Sequence, residues 1–200
     1  MFRLNVLLAQ GTWGDDDEWW MPGVEGNFHA AVQAAGHTVL NGRPFNSHLA
    51  LGGIGFGDGD LRVWRGAGNH LYDRLEPPLC PDVRVANLCI IAHSHARQQV
   101  KFACQAGLTA DLVILVSGPI RKDVNRETLL ARSRIGKLVC LHGGKRDIWQ
   151  RLGGLFDFRL NWSRDDPDAD INEGFSDANH SSLLTDPTQF HRVLHYLPKP

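Results

Sequence analysis

A serine hydroxyl is a poor nucleophile at neutral pH unless its setting activates it, and one serine in this chain has a suggestive setting. The stretch Ile90-Ile91-Ala92-His93-Ser94-His95-Ala96-Arg97-Gln98-Gln99-Val100 passes from an apolar run straight into a helical pattern at Ser94. A hydroxyl on a sharp strand-to-helix turn stands clear of the sheet at its carboxyl end. The following helix then aims its N-terminus at any anion formed there. Such a turn needs small residues two positions to either side, because it presses those side chains against adjacent backbone. Ala92 and Ala96 supply them, alanine at both positions where glycine is usual. Ser94 is therefore the candidate nucleophile.

Two other constellations point to other chemistry. His93 and His95, at i and i+2, are spaced as in metal hydrolases, where both imidazoles project into one site. Such a site needs further His or carboxylate ligands, and neither an H-x-H-x-D-H pattern nor a C-x-x-C pair follows. Asp166-Pro167-Asp168-Ala169-Asp170-Ile171-Asn172 carries acidic residues at alternate positions, as a calcium loop does. Ile171 stands where that loop has its glycine, and Asp177 where it has its closing glutamate. The segment reads as a solvated acidic loop, and Asp15-Asp16-Asp17-Glu18 reads the same way.

The elements that must carry these residues follow from hydrophobic patterning. Apolar runs at 4–9, 87–92, 111–116 and 137–141 are continuous, as strands buried on both faces are. Asn27 caps a helix over 28–35 that Gly36 ends, and 37–40 is a short strand. A glycine-rich, irregular stretch over 42–68 leads to a helix over 69–75, stopped by Pro77-Pro78. Helices fit over 95–106 and 126–134. Beyond Gly153-Gly154 the pattern weakens until a final helix over 187–196, with Pro187 in its first turn. Strands alternating with helices predict an α/β fold, a mainly parallel sheet with helices on both faces. No linker or repeat interrupts the chain, so residues 1–200 are expected to form one domain.

Four segments sit at the exits of these elements: Gln10-Gly11-Thr12-Trp13 after the first strand, Ala92-His93-Ser94-His95-Ala96 at the elbow, Gly143-Gly144-Lys145-Arg146-Asp147 after a later strand, and Asn179-His180-Ser181-Ser182-Leu183 near the end. In these segments and their order the chain resembles the α/β-hydrolase fold family, in particular its small, lidless, lipase-like or esterase-like members. The likeness spans positions 4 to 196. It implies a Ser…Asp…His triad with Ser94 as nucleophile, Asp147 as orienting acid and His180 as base. The imidazole takes the hydroxyl proton, and the carboxylate on its other nitrogen holds the right tautomer. Asp147 also lies just past an apolar run, where a parallel sheet presents its functional edge. Asp123, which likewise follows a strand, and Asp157 are its rivals. Among ten histidines, His191 and His195 share one face of the last helix, and His142 ends a strand where it could line the pocket. The resemblance further implies an oxyanion hole built from the backbone N–H groups of Thr12 and His95. Gln10 replaces the histidine common in the family's oxyanion loop. Gln10, Gly11, Trp13 and His93 would line the substrate pocket, and Trp19 and Trp20 crowd the same loop.

Composition excludes other classes of function. The chain has 200 residues, 42% of them hydrophobic and 22% charged, near the averages of globular proteins rather than of disordered ones. Basic and acidic residues number 21 and 22, and no block of like charge suggests a nucleic-acid face or a polybasic membrane anchor. The longest apolar runs fall far short of the ~20 residues of a membrane helix. The first run is broken by Asn5 and lacks a basic start and a small-x-small cleavage site, so it reads as a strand rather than a signal peptide. Four cysteines without a C-x-x-C pair suggest a reducing, cytoplasmic setting. The expectation is a serine hydrolase acting on a small-molecule carboxylic ester through an acyl-enzyme, with no cofactor and no nucleic-acid or membrane partner. At this length there is little room for an inserted lid. Two other readings remain open: a catalytically inactive hydrolase-like scaffold for binding or assembly, favoured by Ala92, Ala96 and Gln10, and a metal-dependent hydrolase built on His93 and His95.

Overall fold

The computed structural model describes residues 3–10, 19, 21–40, 45–46, 85–94, 96–97, 100, 103–104, 108–118, 134–143, 147 and 165–199. Within them the apolar runs form strands β1 (Asn5–Gln10), β4 (Leu88–His93), β5 (Ala110–Val116) and β6 (Ile135–Gly143). Shorter strands are β2 (Thr38–Val39), β3 (Phe45–Asn46) and β7 (Ile171–Phe175). They join one sheet in the order β2-β1-β4-β5-β6-β7, with β3 also on β1, and each pairing is parallel.

Continuous apolar sequence reflects burial on both faces. Every residue of β4 is buried, and in β5 all but Asp111. Because successive strand side chains point to opposite faces, each run feeds two cores. Val6, Leu8, Cys89, Ile91 and Ile114 pack with Phe28 and Val32 of helix α1 (Phe28–Ala34). The same core takes Leu183 of α2 (Ser182–Thr185) and Phe190 and Val193 of α3 (Phe190–Leu194). On the other face Leu7, Ala9, Ile90, Ala92 and Leu115 pack with Ala96, Val100, Ala103 and Cys104. Those last four residues are helical, and their i, i+4, i+7, i+8 spacing makes one apolar stripe. Helices thus cover both faces, as the alternating pattern predicts. Burying one Leu, Ile or Val side chain contributes about 1.5–3 kcal/mol, so the sheet's core residues dominate its stability.

Local signals hold where the structure describes them. The Asn27 side chain accepts a hydrogen bond from the Ala30 N–H at 2.9 Å, and Gly36 beyond α1 has φ of 90°. The acidic segment after 165 is different from its expectation as a solvated loop. Asp166 is fully buried, and β7 follows it on the sheet's edge. An edge strand needs few apolar residues, and β7 exposes Asn172, Glu173 and Gly174, so no hydrophobic run marks it in the sequence. The last helix is shorter than 187–196, with turns at 187–189 before it. The expected helix over 69–75, all of that over 126–134 but Arg134, which is a turn, and most of the glycine-rich stretch lie outside the described residues. Among the described residues no helix is long and apolar enough to cross a membrane.

Strand order locates the functional edge. From β1 the chain turns to β2 and β3 on one side, then crosses to β4 on the other. The connections therefore diverge at the carboxyl ends of β1 and β4, the switch point where open parallel sheets hold their ligands.

Candidate active site

Ser94 stands at that switch point, immediately after β4. Its N–H donates to the Val116 carbonyl at 2.9 Å, which continues the ladder for one more residue. Its own carbonyl accepts from the Arg97 N–H at 3.3 Å, the first turn of the helical segment. Between the two, Ser94 adopts φ of 55°, a left-handed conformation that costs a residue with a Cβ about 1–3 kcal/mol. Ala92 and Ala96 are both fully buried, as the turn's tightness requires. Gly118, just past β5, is the complementary glycine. A Cβ there would lie 3.2 Å from the Ser94 carbonyl oxygen and 2.9 Å from Arg97 Cδ.

Asp147 follows β6 and is 0% exposed, while His180 follows β7 and is half-buried. His180 Nδ1 lies 3.0 Å from Asp147 Oδ1, and His180 Nε2 lies 3.0 Å from Ser94 Oγ. A carboxylate can only accept, so Nδ1–H donates to Asp147. The other nitrogen of the neutral ring then accepts the Ser94 hydroxyl proton. One imidazole is thereby joined to an acid on one side and a hydroxyl on the other, across three separate strand exits.

The His180 segment is held by its own short-range bonds. Asn179 Oδ1 accepts from the Ser182 N–H at 2.9 Å and the Ser181 N–H at 3.0 Å, and Ser182 Oγ accepts from the Asn179 N–H at 3.0 Å. These bonds close a reciprocal Asn179–Ser182 turn, just ahead of α2, with His180 inside it. Gly143, the last residue of β6, brings the Asp147 and His180 connections together. A Cβ on it would meet the Ala178 carbonyl oxygen at 2.9 Å, the Asn179 carbonyl oxygen at 3.0 Å and Asp147 Cβ at 3.0 Å. From the other side Arg192 binds both oxygens of Asp177 at 2.8 Å, and its guanidinium lies 4.7 Å from the centre of the Phe175 ring. The last helix is thus tied to the turn that leads from β7 to His180.

Of the residues singled out in the sequence, Ser94, Asp147 and His180 meet. His93 is buried, and its Nε2–H donates to the His180 carbonyl at 3.0 Å, an orientation that does not leave that nitrogen for a metal. The backbone of Gln10 ends β1 beside Asn46 of β3. Gly11, Thr12, Trp13, Trp20, His95, Asp123 and Asp157 lie outside the described residues. Trp19 is a core residue, edge-on to Phe28 with ring centres 6.0 Å apart. His142 lies 3.2 Å from Asp165, and His191 and His195 are exposed. Among the described residues no group of three or more His, Cys, Asp or Glu side chains could hold a metal ion. Cys89, Cys104 and Cys140 are free and buried. Burial pushes the Cys104 thiol up to about 12 and raises Cys89 as well, so neither offers a thiolate.

Sequence reasoning missed three supports. The Asn179-x-x-Ser182 spacing of the reciprocal turn is legible in the sequence. Arg97 shares a helical face with Val100 and Cys104, and a charge on an apolar stripe signals a buried partner, here Asp166. The contact of His93 with His180 had no local signal.

No protein-family model matches the sequence. No curated protein matches it either. Among solved structures, an esterase, RhEst1 from Rhodococcus sp. ECU1013, is similar with a TM-score of 0.50 at 13% identity, over 96% of this chain and 89% of that one. The likeness is one of fold.

Proposed function

We propose that this chain is a serine hydrolase that cleaves a small-molecule carboxylic ester through Ser94, His180 and Asp147. The observation that carries the reading is the His180 imidazole, 3.0 Å from both the Ser94 hydroxyl and the Asp147 carboxyl. The esterase-like fold supports it. Ser94 Oγ attacks the ester carbonyl carbon while His180 Nε2 takes the hydroxyl proton. Asp147 stabilises the resulting imidazolium and keeps the ring oriented. The tetrahedral oxyanion would be held by the backbone N–H groups of His95 and Thr12, beside the helix N-terminus. Collapse expels the alcohol, which receives the proton from His180. Water then attacks the acyl-enzyme with His180 again as base, and the acid leaves. Every proton in this scheme moves through His180, and no cofactor takes part. The free, buried cysteines fit a reducing, cytoplasmic setting.

A panel of p-nitrophenyl esters of increasing acyl length, assayed with wild type and Ser94→Ala, tests the proposal. Replacing the nucleophile should lower kcat by on the order of 10³-fold or more. Equal rates in the two proteins would remove Ser94 from the reaction.

A further inference from the structure

We infer that His93 is a positioning residue that sets the base against the nucleophile, an inference that rests on the serine-hydrolase reading. Strand alternation puts His93 on the same face of β4 as Cys89 and Ile91, the face that packs against α1, α2 and α3. The His180 segment leads into α2, so both histidines belong to one side of the sheet. Their ring centres are 5.0 Å apart, and the Trp19 edge backs His93 at 6.3 Å. At 3% exposure, His93 is a poor candidate for a group that waits for substrate.

Its polar atom has a different use. His93 Nε2 lies 3.0 Å from the His180 carbonyl oxygen. A carbonyl only accepts, so His93 carries its proton on Nε2. The consequence is a closed ring of contacts. Ser94 is bonded through the peptide to His93, the His93 side chain holds the His180 main chain, and the His180 side chain returns to Ser94 Oγ. A shift of the His180 segment relative to the elbow must break the His93 bond. Asn179 and Ser182 fix the shape of that segment, but they lie within it and say nothing of its distance from β4. Among the described residues His93 ties that segment's main chain to β4, beside the His180–Ser94 side-chain contact itself. Misplacing a reacting group by about 1 Å can cost ~10²-fold in rate, so this one bond has leverage on turnover.

The experiment compares wild type, His93→Phe, His93→Gln and Ser94→Ala by ester hydrolysis, by the rate of fluorophosphonate labelling and by thermal melting. Phe fills the space without a donor, whereas Gln offers an amide N–H at a reach similar to Nε2. The expected result is a fall of ~10–100-fold in kcat and labelling rate for His93→Phe with KM nearly unchanged, and recovery of at least ~10-fold of that loss in His93→Gln. A folded His93→Phe that labels at the wild-type rate overturns the inference, and so does a His93→Gln as slow as His93→Phe. Should the variants fail to fold, the imidazole nitrogens of 15N-labelled wild type decide: a His93 protonated on Nδ1 alone refutes the bond. Ser94→Ala separates the two levels of the argument. If wild type and Ser94→Ala label alike, the hydrolase reading fails and His93 loses its role with it. If only wild type labels, the His93 variants test positioning alone.

Discussion

Arg97 and Asp166 form an ion pair with side chains only 1% and 0% exposed, and cutting it should be strongly destabilising although it lies outside the site. One Arg97 nitrogen binds Asp166 Oδ2, and another lies 3.4 Å from the Gly118 carbonyl. Asp166 is itself fixed, since its N–H and carbonyl both bind the Asn172 side chain, at 2.8 and 3.0 Å. The pair therefore joins the first helical turn after Ser94 to the segment before β7. Asp166→Ala strands a guanidinium where water cannot reach it, and breaking a buried pair in this way costs about 3–5 kcal/mol. A solvent-exposed pair would be worth no more than about 1 kcal/mol. For a chain of this size each kcal/mol shifts Tm by roughly 2–4 °C, so Asp166→Ala should melt about 6–20 °C lower. Arg97→Met should behave similarly, because it takes the guanidinium away from a fully buried carboxylate that keeps its bond from the Asp168 N–H. The double variant, with neither charge, should be more stable than either single one. Thermal and urea unfolding followed by circular dichroism give all three numbers. Single variants that lose less than about 1 kcal/mol, or a double variant equal to the sum of its parts, would refute the account of a buried, mutually dependent pair.

Gly143→Ala should keep the sheet and, on the proposed function, lower the rate of ester hydrolysis by about 10²-fold, because the new methyl displaces backbone that carries His180 and the Asp147 side chain; a folded variant as fast as wild type would contradict this. Asn179→Ala removes the acceptor for two N–H groups and should cost about 1 kcal/mol, seen as a lower urea midpoint. Stability should also depend on pH. Burial holds His29 below the ordinary imidazole value, and burial together with Arg3 does the same to His37, whose Nδ1 accepts from the Leu4 N–H at 3.3 Å. Below about pH 6.5 the unfolded chain then takes up protons that the folded one resists. Stability is retained above that value and falls as pH drops beneath it, so the urea midpoint should be lower at pH 5.5 than at pH 7.5; an equal or higher midpoint would count against the assignment.

Much of the architecture is written locally. Runs such as Ile90–Ile91 and Leu112–Val116 announce strands buried on two sides, because only a covered sheet can take so many consecutive apolar side chains. Ala92, Ser94 and Ala96 announce the elbow, because the steric demands of a tight turn fall on near neighbours. Asn27 and Gly36 mark the ends of α1 for the same short-range reason. Strand β7 leaves no such trace, since an edge strand is held by backbone bonds to β6 and asks little of its side chains. The expected solvated loop fails there because the burial of Asp166 depends on Arg97, 69 positions earlier.

The candidate site divides along the same line. Residue types and order nominate a serine, an acid and an imidazole, and favour Asp147, after the last clear strand before His180, over its rivals Asp123 and Asp157. What brings Asp147 within 3.0 Å of His180, and His180 within 3.0 Å of Ser94, is the placement of β4, β5, β6 and β7 side by side in parallel. Parallel strands deliver their exits to one edge whatever lies between them in the chain. Hydrophobic periodicity encodes which faces are buried, and it is short-ranged. Hydrogen bonds between those exits depend on strand order, register and a glycine's missing methyl, quantities that exist only once the sheet has formed.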